Sequence, residues 1–370
     1  MDLQLFSGYA TLGTTGIIGG KVLFGFDLDH TIIRPTSGKF CKTAIDWEFL
    51  PGMDKLIQEI SRFAPVVIFT NQGGVAAKKT TLPEVVARIG AVIAALKIQT
   101  MVFIGLSEQY YKPSPLLYQS LIYGYAPEIE RGFYIGDASD MDTDFADTDY
   151  RFALNTGLAY IPVGKFINIA NSAGGYPEIL IPRLYEARSR HELAQVPIGN
   201  WLSAGANVPR PTENQRIMVV LVGPPGCGKS TYAKTLGWTV LSRDALGSAT
   251  AAQYLKAVKA KIAEVPKDKP LSLILDATHP DIKSREAYIV LARAQGMKIC
   301  AVYFEVPIEI AKYMNKIRCI MGGNYVPEIA YGTYLKRAVK PSAEEGFDEV
   351  VTISSLRLND IPAEYLNLHL

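Results

Sequence analysis

The nine residues Gly223-Pro224-Pro225-Gly226-Cys227-Gly228-Lys229-Ser230-Thr231 constrain this chain more than any other stretch. They fit G-x-x-x-x-G-K-[ST], they directly follow the apolar run Ile217-Met218-Val219-Val220-Leu221-Val222, and a helix-like stretch comes after them. In that strand–loop–helix context the loop N–H groups and the helix N-terminus wrap nucleotide phosphates, which confines the second half of the chain to a parallel α/β sheet. Gly223, Gly226, Cys227, Gly228 and Thr231 then line the cradle. Lys229 neutralises the β/γ oxygens of ATP, and the Ser230 hydroxyl holds magnesium.

Downstream residues extend this site. Leu241-Ser242-Arg243-Asp244 places an acid just past a short strand. Asp244 is either a general base that takes a proton from an attacking hydroxyl or a helix N-cap. The run Leu271–Leu275 ends in Asp276, a magnesium-site residue of the Walker B type, and His279 before Pro280 reads as a turn residue. Lys312, Lys316 and Arg318 share a helical stretch that is either a lid over ATP or a solvated basic face.

The first half repeats the α/β pattern with different chemistry. The runs Val22–Phe26, Pro65–Phe69, Met101–Ile104 and Gly132–Ile135 read as buried parallel strands. Their ends deliver Asp27-Leu28-Asp29-His30-Thr31, Thr70-Asn71-Gln72 and Gly136-Asp137, with Lys112-Pro113 between the last two. Covalent hydrolysis of a phosphate monoester needs a carboxylate nucleophile, a second acid, donors for the phosphoryl oxygens and a cation among the carboxylates. Asp27 fits the nucleophile, Asp29 the acid/base, Thr70 the phosphoryl donor and Lys112 the charge balance. Asp137 and Asp27 fit magnesium, with Asp29 completing an oxygen ligand set. The acids Asp140, Asp142 and Asp144 are a solvated face, or Asp140 is a further metal partner.

About 43 residues separate Asp27 from Thr70, and Lys112 follows at a similar interval. A hairpin and a crossover helix consume the first gap and another helix and strand the second, so no large cap domain fits and the site is expected to be open, as suits a phosphate at a polymer end. The segment Arg34–Lys39 either lines that opening or is an ordinary solvated hairpin.

Between the halves, 200–216 mixes Gly, Pro, Asn and Ser without an apolar period. The expected organisation is therefore a first domain over 1–199, a linker over 200–216 and a second domain over 217–370. No run reaches the roughly 18 clean apolar residues of a membrane span, and the N-terminus lacks a secretory pattern, so an intracellular protein is expected. Four cysteines without CxxC spacing point to reduced thiols. Residues 1–170 carry 14 basic and 17 acidic side chains against 24 and 19 in 171–370, a balance that permits a polyanionic partner without demanding one.

The four first-half motifs, in this order, resemble those of the haloacid dehalogenase-like phosphatases. From about Val22 to Leu356 the chain resembles the eukaryotic polynucleotide kinase 3′-phosphatases. The matching segments include Phe26–Ile33, Ser37-Gly38-Lys39, Ile68–Gln72, Lys112-Pro113, Gly136–Ala138, Phe152–Asn155, the phosphate loop, Arg243-Asp244, Leu246-Gly247, Pro341 and Glu345–Phe347. The resemblance implies an α/β chain of two Rossmann-like domains, a capless haloacid dehalogenase-like phosphatase followed by a P-loop kinase. It implies magnesium-dependent removal of 3′-phosphates and ATP-dependent phosphorylation of 5′-hydroxyl ends of DNA in strand-break repair. It also implies that Asp244 is the kinase base, that Arg318 on a lid contacts the nucleotide phosphates, and that the site of action is nuclear.

Departures are visible. His30 stands where the family usually has Gly, and the acidic loop after Asp137 is shorter than in the animal enzymes. Only about 20 residues precede the strand at Val22, so no forkhead-associated domain and no recruitment by phosphorylated scaffolds is expected. A monomer is expected. RNA ends as substrate, or a small-metabolite phosphatase/kinase fusion, are the alternative readings.

Overall fold

The computed structural model describes residues 2–13, 18–39, 41, 43–139, 146–174, 176–189, 215–247, 249–354, 365 and 368–370. Most of the expected linker, 200–214, and the candidate Asp140 lie outside the described residues. The chain divides into two compact units, the first built on described residues 2–189 and the second on 215–318 and 324–354.

The first unit carries a seven-stranded sheet of β1 (Asp2–Phe6), β2 (Tyr9–Gly13), β3 (Val22–Phe26), β6 (Val66–Asn71), β7 (Met101–Gly105), β8 (Arg131–Gly136) and β9 (Ala159–Pro162), in the order β1-β2-β7-β6-β3-β8-β9. The two-residue strands β4 (Ile33–Arg34) and β5 (Glu48–Phe49) form a separate ribbon. From β7 to β9 the ladders are parallel. Successive side chains of these strands enter opposite layers. Phe24, Phe26, Ile68, Val102 and Ile135 pack with helices Met53–Ile60 and Leu82–Leu96, whereas Leu23, Val67, Phe69, Phe103 and Tyr134 pack with Leu116–Gly124 and Thr148–Thr156. Both faces are covered, which is why these strands read as unbroken apolar runs.

β1 and β2 form a hairpin before the strand that the sequence presents as the first, and β2 adds antiparallel to β7. Both are short and mix polar residues with apolar ones, so no apolar run announces them. Between Asp27 and Thr70 the described residues hold only the β4–β5 ribbon and helix Met53–Ile60. Between Thr70 and Lys112 they hold helices Gly73–Ala76 and Leu82–Leu96 and strand β7. No cap domain occurs among them.

The second unit has a five-stranded all-parallel sheet of β10 (Arg216–Val222), β11 (Thr239–Ser242), β12 (Leu271–Asp276), β13 (Lys298–Phe304) and β14 (Glu349–Ile353), in the order β11-β12-β10-β13-β14. Met218, Val220, Leu273, Leu275 and Ile299 pack against Tyr254, Val258, Tyr288 and Ile289 of helices Ala251–Ala263 and Ile282–Ala294. No helix among the described residues is long and apolar enough to cross a membrane. Cys41, Cys227, Cys300 and Cys319 are all free thiols.

Candidate active sites

In the first unit, β6, β3 and β8 are neighbours, so their C-terminal ends bring Thr70, Asp27 and Asp137 to one sheet edge. Lys112 reaches them from the segment after β7. Its ammonium donates to Asp27 Oδ1 at 2.6 Å, to Asp149 Oδ1 at 2.7 Å and to the Tyr134 hydroxyl at 2.8 Å. Asn71 fixes this lysine from both sides, accepting from the Lys112 backbone N–H at 2.8 Å and donating to its carbonyl at 3.1 Å. Asn155 donates to the adjoining Pro113 carbonyl at 2.8 Å. The T-N-Q and A-L-N segments thus locate the cation.

Asp149 joins this cluster although it is not among the residues the sequence singles out. It lies on helix Thr148–Thr156, is buried, and donates nothing; its Oδ2 accepts from the Ala138 N–H at 3.2 Å. Gly136 makes that approach possible, because a Cβ there would sit 2.4 Å from the Asp149 carboxylate.

Asp27, Asp137 and Asp149 each offer an oxygen within 4.8 Å of the others, a donor set of hard oxygens that fits magnesium. Burial, together with Asp149 and Asp137, pushes Asp27 well above the usual carboxylate range against the pull of Lys112. Burial and Asp149 also raise Asp137. Burial pulls Lys112 down, but the two carboxylates outweigh it and hold the ammonium charged above its usual value. Three carboxylates facing one ammonium leave negative charge for a divalent cation to offset.

The Asp29 carboxylate falls outside this cluster, where Asp149 stands instead. Its Oδ2 accepts from Gln72 Nε2 at 2.9 Å, and the same nitrogen donates to Thr70 Oγ1 at 2.9 Å. Next to it, His30 has φ 63, a left-handed backbone that explains why this position favours glycine. The Arg34–Lys39 segment is anchored: Thr36 and Ser37 donate to the buried Asp46 at 2.6 and 2.7 Å.

In the second unit, the loop after β10 opens helix Lys229–Thr235. Gly226 has φ 77, and a Cβ there would lie 2.3 Å from the Ala311 carbonyl. Gly223 abuts Cys227 and Phe304, Gly228 caps the helix in the left-handed region, and Thr231 follows on its first turn. Lys229, buried, donates to the Gly223 and Pro224 carbonyls at 3.0 and 2.6 Å. Ser230 Oγ donates to Asp276 Oδ2 at 2.7 Å, so the two residues expected at magnesium are paired.

Asp244 begins the single turn Asp244–Leu246, whose cap is Arg243 and which has no side-chain cap hydrogen bond. The N-cap alternative therefore falls to its neighbour. Arg318 is exposed on helix Ile308–Ile320 and donates to Asn315 at 2.7 Å. Lys312 pairs with Glu328 at 2.6 Å, so it is not a free solvated charge. His279 is buried with φ 39, and its Nδ1 lies 2.8 Å from the Leu221 carbonyl. Burial and the cations Lys229, Arg285 and Arg243 pull its pKa down to about 4. A cavity of about 560 Å³ adjoins the loop, lined by Pro225, Arg243, Tyr254, His279, Tyr288 and Tyr334.

Residues 22–166 match the family model of polynucleotide kinase 3 phosphatase, and residues 218–341 match that of an AAA domain. The bifunctional polynucleotide phosphatase/kinase of Schizosaccharomyces pombe is 29% identical over 354 residues, covering 92% of this chain and 81% of that protein. A putative bifunctional polynucleotide phosphatase/kinase of Acanthamoeba polyphaga mimivirus is 26% identical over 371 residues, covering 89% and 83%. Among solved structures, a putative haloacid dehalogenase-like phosphatase from Mesorhizobium loti matches with a TM-score of 0.34 and 21% identity, over 41% of this chain and 77% of that one.

Proposed function

Since the chain belongs to the bifunctional polynucleotide phosphatase/kinases, we propose that it repairs broken DNA ends, removing 3′-phosphates at Asp27 and phosphorylating 5′-hydroxyls from ATP at Lys229. Its fold is a haloacid dehalogenase-like phosphatase unit followed by a P-loop kinase unit. The observation that carries the reading is that each unit holds an assembled phosphoryl-transfer constellation. In one, Lys112 bridges Asp27 and Asp149; in the other, Ser230 pairs with Asp276 behind the phosphate loop.

In the first reaction a carboxylate oxygen of Asp27 attacks phosphorus. The bond from phosphorus to the 3′ oxygen breaks, and that oxygen takes the proton of Asp29. Water then attacks the aspartyl phosphate and gives a proton back to Asp29, releasing inorganic phosphate and restoring Asp27. Thr70 donates to the phosphoryl oxygens, and Lys112 offsets the charge around the nucleophile. Asp27, Asp137 and Asp149 would hold magnesium, which supplies charge neutralisation at the phosphoryl group.

In the second reaction Asp244 accepts the proton of the 5′-hydroxyl as its oxygen bonds to the γ-phosphorus and the bond to ADP breaks. Lys229 and Arg318 bind the phosphates, and Ser230 with Asp276 would hold the accompanying magnesium. The mildly basic second half suits a polyanionic acceptor. Repair of strand breaks places this work in a nucleus or wherever the DNA it serves resides.

A nicked duplex bearing 3′-phosphate and 5′-hydroxyl ends, incubated with ATP and magnesium, tests both halves. Asp27→Ala should lose only dephosphorylation and Lys229→Ala only phosphorylation. Processing of RNA ends or free nucleotides in place of the DNA nick would leave the chemistry standing and overturn the substrate.

A further inference from the structure

Helix Leu82–Leu96 turns Val85, Ile89, Val92, Ile93 and Leu96 inward, and on that same buried face it places Arg88, 8% exposed. A guanidinium in such a row costs several kcal/mol unless it is paired and hydrogen-bonded, so its partners define its purpose. Arg88 Nη2 donates to Gln72 Oε1 at 2.9 Å and lies 3.7 Å from Asp29 Oδ2. The amide nitrogen of Gln72 donates at 2.9 Å to both Asp29 Oδ2 and Thr70 Oγ1. Gln72 and Thr70 are themselves buried.

The two ends of a glutamine amide match in size and differ in polarity, and a guanidinium only donates. Facing Arg88, the amide must present its oxygen there and its nitrogen to the catalytic edge. Two consequences follow. Thr70 Oγ1 accepts from the amide, so its own proton is free to point toward a phosphoryl oxygen. Asp29 Oδ2 faces an N–H and a guanidinium, so the proton carried by this acid belongs on Oδ1. A reversed amide would set its oxygen against the carboxylate and draw the Thr70 proton away from the phosphate.

We propose that Arg88 is a positioning residue for the phosphatase reaction: it fixes the polarity of the Gln72 amide, and thereby fixes which oxygen of Asp29 serves the leaving group and frees the Thr70 hydroxyl to donate. This rests on the assignment of Asp29 as acid/base and Thr70 as phosphoryl donor.

The test uses the full chain and two substrates, an oligonucleotide 3′-phosphate, whose alkoxide needs a proton to leave, and p-nitrophenyl phosphate, whose phenolate does not. Arg88→Met should lower kcat on the oligonucleotide by about tenfold or more, with KM nearly unchanged and a several-fold smaller loss on the aryl phosphate. Arg88→Lys, still donor-only, should recover most of the difference. Turnover of the aryl substrate by Arg88→Met reports that the unit has folded. Equal losses on the two substrates, no loss on either, or a lysine variant no better than methionine would overturn the role of Arg88. Asp27→Ala runs alongside: dephosphorylation that survives that change would instead overturn the site assignment, and the inference with it.

Discussion

Each unit buries one lysine at its site, and the two are held in opposite ways. Lys112 sits on two carboxylates and a phenol, whereas Lys229 sits on the neutral carbonyls of Gly223 and Pro224. Lys112 is therefore charge-matched inside the protein, and its site is organised by the same interactions that stabilise the unit. Lys229 is held by those carbonyl dipoles and the Cys227 sulfur at 3.6 Å, so under the proposed function its charge would be matched by phosphate oxygens of the nucleotide. The first site is built by internal ion pairs, and the second by loop geometry.

The sharpest way to break this contrast is to remove each lysine. Lys112→Met leaves Asp27 and Asp149 buried without their cation, and stability measured by denaturant should fall by about 3–5 kcal/mol along with dephosphorylation. Lys229→Met should abolish phosphorylation while costing less, about 1–2 kcal/mol, since it strands buried carbonyls but no charge. Equal destabilisation by the two variants would erase the distinction.

Acid should separate the units next. His279 has a folded pKa of about 4 against an ordinary 6.5. Its neutral ring stabilises the second unit above pH 6.5, and that contribution is lost as pH falls toward 4, in total about 3 kcal/mol. Unfolding curves at pH 7 and pH 4.5 should show the loss, and His279→Gln, which keeps a donor for the Leu221 carbonyl, should flatten it. An unchanged slope in that variant would assign the acid sensitivity elsewhere.

Magnesium alone should act on the first unit only. Three clustered carboxylates gain from a cation, while Ser230 and Asp276 supply a single one. At ten times its Kd the ion should stabilise the first unit by about 1.4 kcal/mol. Asp137→Asn should remove that gain, which thermal unfolding with and without magnesium would read.

Much of this was legible in the sequence because parallel strands covered on both faces read as apolar runs whose ends carry the chemistry. Asp27, Thr70, Asp137 and Asp276 stand at such ends or just past them, and Lys229 opens the helix that follows one. Asp149 was hidden by company: it is the last of several acids in one stretch, and only its place beside Tyr150, Phe152 and Ala153 on the buried face of a helix separates it from the solvated ones. Arg88 left a similar signal, a charge at a core-facing position. The β1–β2 hairpin left little, since its strands are short and half polar. His30 shows the converse, a side chain where backbone conformation favours glycine, which no residue count reveals.

The smallest expected effects concern two polar anchors. Asp46 holds the 34–39 segment in the first unit through two hydroxyls. In the second unit the buried Asn315 accepts from the Val326 N–H at 3.0 Å, donates to the Val326 carbonyl at 2.9 Å, and accepts from Arg318. Neither touches a reacting atom, so replacing either loosens a cation-bearing segment without altering the chemical step. Asp46→Ala should raise KM for a 3′-phosphorylated oligonucleotide by about threefold, and Asn315→Ala should raise KM for ATP by about as much, each the equivalent of roughly 0.6 kcal/mol. Because Asn315 also satisfies both backbone groups of the half-buried Val326, its loss should in addition destabilise the second unit by about 1 kcal/mol. A fall in kcat with KM unchanged, in either variant, would mean that the anchored segment takes part in the transition state and not in binding alone.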